Sequence, residues 1–308
     1  MDIPSPVLKP AFDITRASHI VHRVRDLARS KAFYADALGF LVSDEDKDTL
    51  WLRGLEEACH HSIVLKRAEA PGCERVGFRV FTDEDLELTA AYFRDAGLPA
   101  RFVTVPFQSR TLHVEDVTGA RFEFCASMET RPRAIAQFDL HRAAAPMRLD
   151  HFQILSPKVT EAWAFWSKAG FRTSEYIVDG EHDRARAIFM QRKGNPHDLV
   201  FMASAGPRVH HAAFTSPEAQ HLMHACDVLA RAGFGDGVEH GPGRHFGPGY
   251  ARFLYLRDPD GHRIELFNNH YQTIDVEDEP VRWEGAPHGA SSRWGRPPVD
   301  SWREQASA

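Results

Sequence analysis

Cysteine is scarce in this chain. Cys59, Cys73, Cys125 and Cys226 are the only four in 308 residues, and no two stand in CxxC spacing. That excludes a disulfide framework and a cysteine metal knot, and leaves the four as small apolar fillers in a reduced compartment. Long apolar runs are missing as well. No stretch approaches the roughly 18 residues of a membrane span, and the opening MDIPSPVLKPAFDITR has no apolar signal core. Positive charge is in deficit, with 37 Lys and Arg against 43 Asp and Glu. Such a chain offers no general basic surface to phosphates, which excludes nucleic acid as a partner. These absences predict a cytoplasmic protein without membrane attachment, and the length predicts two domains rather than one.

Histidine, by contrast, is abundant, with 18 residues that include the doublets His60-His61 and His210-His211. The doublets lead to an internal repeat. HIVHRVRDLARSKAFYADALGF (19–40) aligns with HFQILSPKVTEAWAFWSKAGF (151–171), so that His19 falls on His151 and Gly39-Phe40 on Gly170-Phe171. HSIVL (61–65) aligns with HDLVF (197–201), ERVGFRVF (74–81) with PRVHHAAF (207–214), and EDVTGARFEF (115–124) with RDPDGHRIELF (257–267), which sets Glu123 on Glu265. The chain is a duplication.

Each half reads in turn as two similar units. A unit opens with a short strand, continues through a helix, for example over 160–169 or 217–232, and closes with several β runs. The helices end at Gly39, Gly97, Gly170 and Gly233, where a left-handed residue is expected. The fold class is therefore α+β, with four βαβββ units whose sheets curl around a cavity and carry helices outside. The expected domains are 13–130 and 146–271. A tail from 272 to 308, rich in Pro, Gly, Trp and charge and without a clear period, is expected either to be a solvated extension or to fold over the pocket and pack against a neighbouring subunit.

The turn cluster Asp258-Pro259-Asp260-Gly261 introduces a strand in which Glu265 stands alone between Ile264 and Leu266. In MRLDHFQIL (147–155), alternation sends Leu149, His151 and Gln153 to one face and Asp150, Phe152 and Ile154 to the other. The repeat puts His211, not His210, in register with the first-strand position, and alternation turns His210 away from the cavity. His151, His211 and Glu265, from three strands, form a 2-His-1-carboxylate set suited to Fe(II) and to Mn(II), with positions left open for substrate and dioxygen. The first half keeps His19 and Glu123 but aligns Phe78 with His211, so only the second half is expected to hold metal.

Four segments, MRLDHF, GPRVHHAAF, GPGRH (241–245) and YLRDPDGHRIELF (255–267), together resemble the type I extradiol ring-cleaving dioxygenases of the vicinal oxygen chelate superfamily. The likeness is to the branch with the homoprotocatechuate and catechol 2,3-dioxygenases and covers nearly the whole chain. It implies two tandem domains of that superfamily, a catechol and dioxygen as substrates, and a homo-oligomer, dimer or tetramer. It implies His151, His211 and Glu265 as metal ligands, His197 as acid/base, Tyr255 as a proton donor beside the metal, and His245 as a histidine near the cavity mouth. An imidazole titrating near neutrality suits the first role and a phenol the second. Four positions depart from the branch or lie near its substrate residues. His240 replaces an arginine that holds a substrate carboxylate, Phe189 replaces a tryptophan, Gln153 replaces an asparagine, and Arg293 in SSRWGRPP lies near a second carboxylate-binding arginine. Loss of a guanidinium fork favours a neutral substituted catechol. The same scaffold also carries glyoxalase-like metal-dependent isomerases and epimerases, and metal-free ligand-binding proteins.

Overall fold

The computed structural model describes residues 3–180, 183–284 and 292–308. The first unit comprises β1 (Ile14–Val24), α1 (Leu27–Lys31) continued by a π-helical stretch (Ala32–Ala37), β2 (Leu41–Glu45), β3 (Thr49–Arg53) and β4 (Ile63–Arg67). The second comprises β5 (Gly72–Val80), α2 (Asp83–Asp95), β6 (Ala100–Val103), β7 (Thr111–Glu115) and β8 (Arg121–Cys125). The third runs through β9 (Leu149–Ser156), α3 (Val159–Lys168), β10 (Arg172–Asp179), β11 (Arg184–Gln191) and β12 (Leu199–Ala203). The fourth runs through β13 (Arg208–Thr215), α4 (Ala219–Arg231), β14 (Val238–His245), β15 (Arg252–Arg257) and β16 (Arg263–Asn268). The tail adds β17 (Val281–Glu284), β18 (Ser292–Trp294) and α5 (Asp300–Glu304).

Local chemistry starts and stops these elements. Thr82 and Asp85 form a reciprocal capping box at the start of α2, satisfying backbone donors that a helix N-terminus leaves free. Gly39, Gly97, Gly170 and Gly233 all adopt positive φ after their helices, where a Cβ would be strained.

Units pair within each half. The first sheet has the order β2-β3-β4-β1-β5-β8-β7-β6, and the second has β17-β10-β11-β12-β9-β13-β16-β15-β14-β18. In both, the opening strands of the two units meet antiparallel at the centre. One apolar core joins the halves: the Phe78 ring lies 5.8 Å from Phe152, 6.2 Å from Trp166 and 5.7 Å from Phe171. Polar ties cross the same boundary, with Trp166 Nε1 donating to Asp116 at 2.9 Å and the Tyr34 hydroxyl to Asp258 at 3.1 Å. With one face of the second sheet committed to this core, its other face is free to line a cavity.

Candidate metal centre

β9 sends Phe152 and Ile154 into the core and His151, Gln153 and Leu155 to the cavity. β13 lies antiparallel to it, setting Ala213 opposite His151 and His211 opposite Gln153. On the far side of β13, β16 runs parallel and puts Glu265 beside Ala213. Three adjacent strands thereby bring two imidazoles and a carboxylate to one point. Glu265 Oε2 lies 3.3 Å from His151 Nε2 and 3.1 Å from His211 Nε2, and the two nitrogens are 3.4 Å apart. Ligands bound at about 2.1 Å on one face of an octahedron stand about 3 Å from one another. The donor set therefore fits a divalent metal in both chemistry and spacing.

Two irregularities in the β9–β13 ladder orient these ligands. The register slips between Val209 and His211 and again between Ala213 and Phe214, leaving His210 and Asp150 as unpaired bulge residues whose side chains are re-aimed. Asp150 Oδ2 accepts from His151 Nδ1 at 2.9 Å, which turns the bare Nε2 toward the metal position. Burial by itself would lower the His151 imidazole, but its bonds to Asp150 and Glu265 outweigh that and raise it above its ordinary value. Asn195 Nδ2 at 3.0 Å also serves Asp150, and the Lys193 ammonium binds the Asp150 carbonyl at 2.6 Å.

The expectation that His210 turns away from the cavity is corrected. His210 is among the cavity-lining residues because the bulge breaks the alternation on which that expectation rested. Its Nε2 lies 2.7 Å from the Trp302 carbonyl and its Nδ1 lies 2.7 Å from His211 Nδ1. A carbonyl only accepts, so His210 carries its proton on Nε2 and presents a bare Nδ1. His211 then donates from Nδ1 and keeps Nε2 free for metal. Burial holds His210 well below its ordinary range and brings His211 down to about 4, so both are neutral near pH 7.

His197 stands beside the ligands, its ring 4.2 Å from His151 and 5.2 Å from Phe189. Burial, then the His151 and His270 rings, push its proton affinity well down. It is thus a neutral base facing the cavity. The Tyr255 phenol, opposite Glu265 in the ladder, is held well above its ordinary value by burial and the Glu265 charge, so it remains a donor. His245, partly exposed, reaches the ligand set: its Nε2 is 3.2 Å from Glu265 Oε1 and 3.3 Å from the Tyr255 hydroxyl. His270 escaped the sequence reading. It stacks on Phe267 at 4.2 Å and lies 4.8 Å from His197, and its position just past β16 carries no repeat or spacing signal.

The cavity is about 480 Å³. Gln153 and Phe189 line it, with Leu155, Ile177, Val200 and Met202 forming an apolar wall, and Gln153 Nε2 reaches the Met202 sulfur at 3.6 Å. His240 and Arg293 are not among the lining residues. His240 sits behind Tyr255 with the two rings parallel at 5.8 Å, and the Arg293 guanidinium covers the Phe246 ring at 5.0 Å. Trp283, Pro298 and Trp302 of the tail do line the cavity.

The first half differs from expectation in one position. β5 sets Val76 beside Phe122, Gly77 beside Glu123 and Phe78 beside Phe124, while β1 pairs His19 with Gly77 and Val21 with Arg75. Arg75, not Phe78, therefore stands where His211 stands in the second half, and Phe78 is core. The repeat alignment is three residues out here because it matches Arg75-Val76 to Arg208-Val209, whereas the ladders, which carry equivalent bulges at Ser18 and Glu74 in the first half and at Asp150 and His210 in the second, set Arg75 on His211. An arginine cannot ligate metal, and Glu123 is already engaged by His19, by His113 at 3.0 Å and by Gln108 at 2.9 Å.

Residues 16–124 and 148–266 match the family model of the Glyoxalase/Bleomycin resistance protein/Dioxygenase superfamily. Homoprotocatechuate 2,3-dioxygenase from Brevibacterium fuscum, solved in complex with 3,4-dihydroxyphenylacetate, superposes with a TM-score of 0.93 at 36% identity, covering 99% of this chain and 96% of that one. A manganese-dependent 2,3-dihydroxybiphenyl 1,2-dioxygenase from Geobacillus genomosp. 3 is 27% identical, over 88% of this chain and 90% of the relative. A metapyrocatechase from Pseudomonas sp. (strain CF600) is 24% identical over 88% and 91%. With one family matched in both halves and a dioxygenase fold shared from end to end, the chain belongs to the glyoxalase/bleomycin resistance protein/dioxygenase superfamily and, within it, to the extradiol dioxygenases.

Proposed function

We propose that this enzyme opens the ring of a neutral, substituted catechol beside its hydroxyl pair, with dioxygen as co-substrate and a muconic semialdehyde-type product. His151, His211 and Glu265 hold Fe(II), and the same donors accept Mn(II). The observation that carries the reading is the triangle of ligand atoms, 3.1 to 3.4 Å on a side, next to a neutral buried His197. When bound, the ion supplies Lewis acidity and a path for electrons between the two reactants.

The side chains around the ion handle protons and position. His197 takes a catechol hydroxyl proton and returns it when the ring opens. The Tyr255 phenol and His245 donate toward oxygen atoms that gain negative charge. Gln153 and Phe189 orient the ring, and the apolar wall of Leu155, Ile177, Val200 and Met202 accommodates an uncharged substituent. Burial of a carboxylate against that wall would be costly. We further propose a homo-oligomer located in the cytoplasm.

Metal analysis followed by oxygen uptake with catechol tests the reaction. Specificity constants for 3-methylcatechol, 4-methylcatechol and homoprotocatechuate test the substrate class, and the methylcatechols are expected to be preferred. Strong preference for homoprotocatechuate would overturn the neutral-substrate assignment.

A further inference from the structure

A second cavity, of about 470 Å³, lies where the first sheet meets the segment entering β9. Its wall carries five cations, Arg16, Arg79, Arg133, Arg148 and Lys193, against two carboxylates, Glu56 and Glu57. That is a local positive excess in a chain whose net charge is -6.

The carboxylates do not cancel the excess. Glu56 is taken by Arg148 at 2.6 Å. Glu57 spends its oxygens on the backbone N–H groups of Gly54 at 2.6 Å and Leu149 at 3.0 Å, and on the Ser62 hydroxyl at 2.6 Å. Lys193 is answered by Asp198. Arg16, Arg79 and Arg133 are left without a carboxylate partner among the described residues. Arg16 donates to the Ala17 carbonyl at 2.9 Å and Arg79 to the Ala126 carbonyl at 2.6 Å, while the buried Arg79 Nε bonds to nothing. The nearby thiols offer no counter-charge, since burial raises Cys59 and pushes Cys125 up to about 12. Both stay protonated.

Arg16 and Arg79 are half-buried and Arg133 is exposed, and a partly desolvated guanidinium beside like charge is costly unless an anion answers it. A planar fork of N–H donors suits an oxyanion. We propose that this cavity is a binding site for a small oxyanion, held by Arg16, Arg79 and Arg133. It is separate from the metal centre, and its occupancy does not depend on which catechol the enzyme cleaves.

Isothermal titration of the metal-loaded protein with sulfate and, separately, with succinate tests the site, at constant ionic strength with chloride as the background anion. Saturable binding in the millimolar range or tighter is expected, weakened tenfold or more by Arg79→Gln and by Arg133→Gln. Arg133 is exposed, so its substitution leaves the fold intact. The bound anion should raise the melting temperature of the parent and leave that of Arg79→Gln unchanged. Sulfate binding without succinate assigns an inorganic oxyanion, and the reverse assigns a carboxylate. Absence of saturable binding by either, or binding that both substitutions leave unaltered, would overturn the site. Because no readout involves catechol turnover, failure here is distinct from failure of the proposed reaction.

Discussion

At the scale of single residues, the three ligand side chains and His197 make separable predictions. His151→Ala, His211→Ala or Glu265→Ala should each abolish bound metal and ring cleavage, measured by metal analysis and oxygen uptake, while His19→Ala should leave both in place. His197→Phe should keep its metal but lose roughly 100-fold to 10,000-fold in turnover, the usual span for removing a general acid or base. Metal affinity should also depend on pH. A proton on His151 competes with metal, and because its carboxylate partners raise that imidazole, affinity should already weaken as pH falls through neutrality. His211, lowered to about 4 by burial, adds to the loss only in strong acid. Competition dialysis against a chelator across pH 5 to 8, with no change in affinity, would contradict this.

At the scale of elements, the bulge on β13 and the docking of α5 determine how the ligands are held. Replacing His210 by Phe removes the acceptor for His211 Nδ1 and leaves a buried donor unmet, at a cost of about 1–3 kcal/mol. Metal affinity should fall roughly 10-fold to 100-fold, as for other groups that orient a ligand, and His210→Asn should restore part of it. The tail that supplies the Trp302 carbonyl is anchored by Glu239. Arg263 Nε reaches Glu239 Oε2 at 2.6 Å and Arg257 Nη2 reaches Oε1 at 2.9 Å, while Arg263 also binds the carbonyls of Ser301 and Gln305 at 3.0 Å. Burial would raise the Glu239 carboxyl, but the two guanidiniums outweigh it and bring it down to about 2. A depressed carboxyl contributes stability above its unfolded value near 4.3 and loses it as pH falls toward the folded value. The tail should therefore loosen between roughly pH 4.3 and 2, seen as a change in tryptophan fluorescence. Glu239→Ala should loosen it at neutral pH, at a cost of about 3–5 kcal/mol.

For the whole molecule, the single core shared by both halves has a thermodynamic consequence. Phe78, Phe152, Trp166 and Phe171 pack across the boundary, so neither sheet keeps its apolar face covered when the other unfolds. Calorimetry should show one cooperative transition, and metal bound only in the second half should shift all of it upward, by about 2.7 kcal/mol at a free concentration 100 times Kd. Two separate transitions, of which only one responds to metal, would show that the halves are independent. Truncation after Glu284 removes Pro298 and Trp302 from the cavity wall and should raise KM for the catechol. An unchanged KM would show that the tail does not shape the cavity.

Repetition, helix ends and ligand types are local properties, and the sequence by itself determined them. Glycines close the helices through backbone conformation, alternation assigns His151 and Gln153 to one face, and the repeat singles out Glu265. Register is not local. Where one strand lies against the next depends on bulges, and a bulge has no signature in a single sequence when its residue is as ordinary as His210 or Asp150. That is why the orienting roles of Asp150 and His210 are not legible in the sequence, while Phe78 falls in the seat that Arg75 occupies because matching Arg75-Val76 to Arg208-Val209 sets the repeat three residues off the strand register. Only tertiary structure set His240 behind Tyr255, moved Arg293 onto Phe246 and brought His270 next to His197, because each depends on how segments distant in sequence pack against one another.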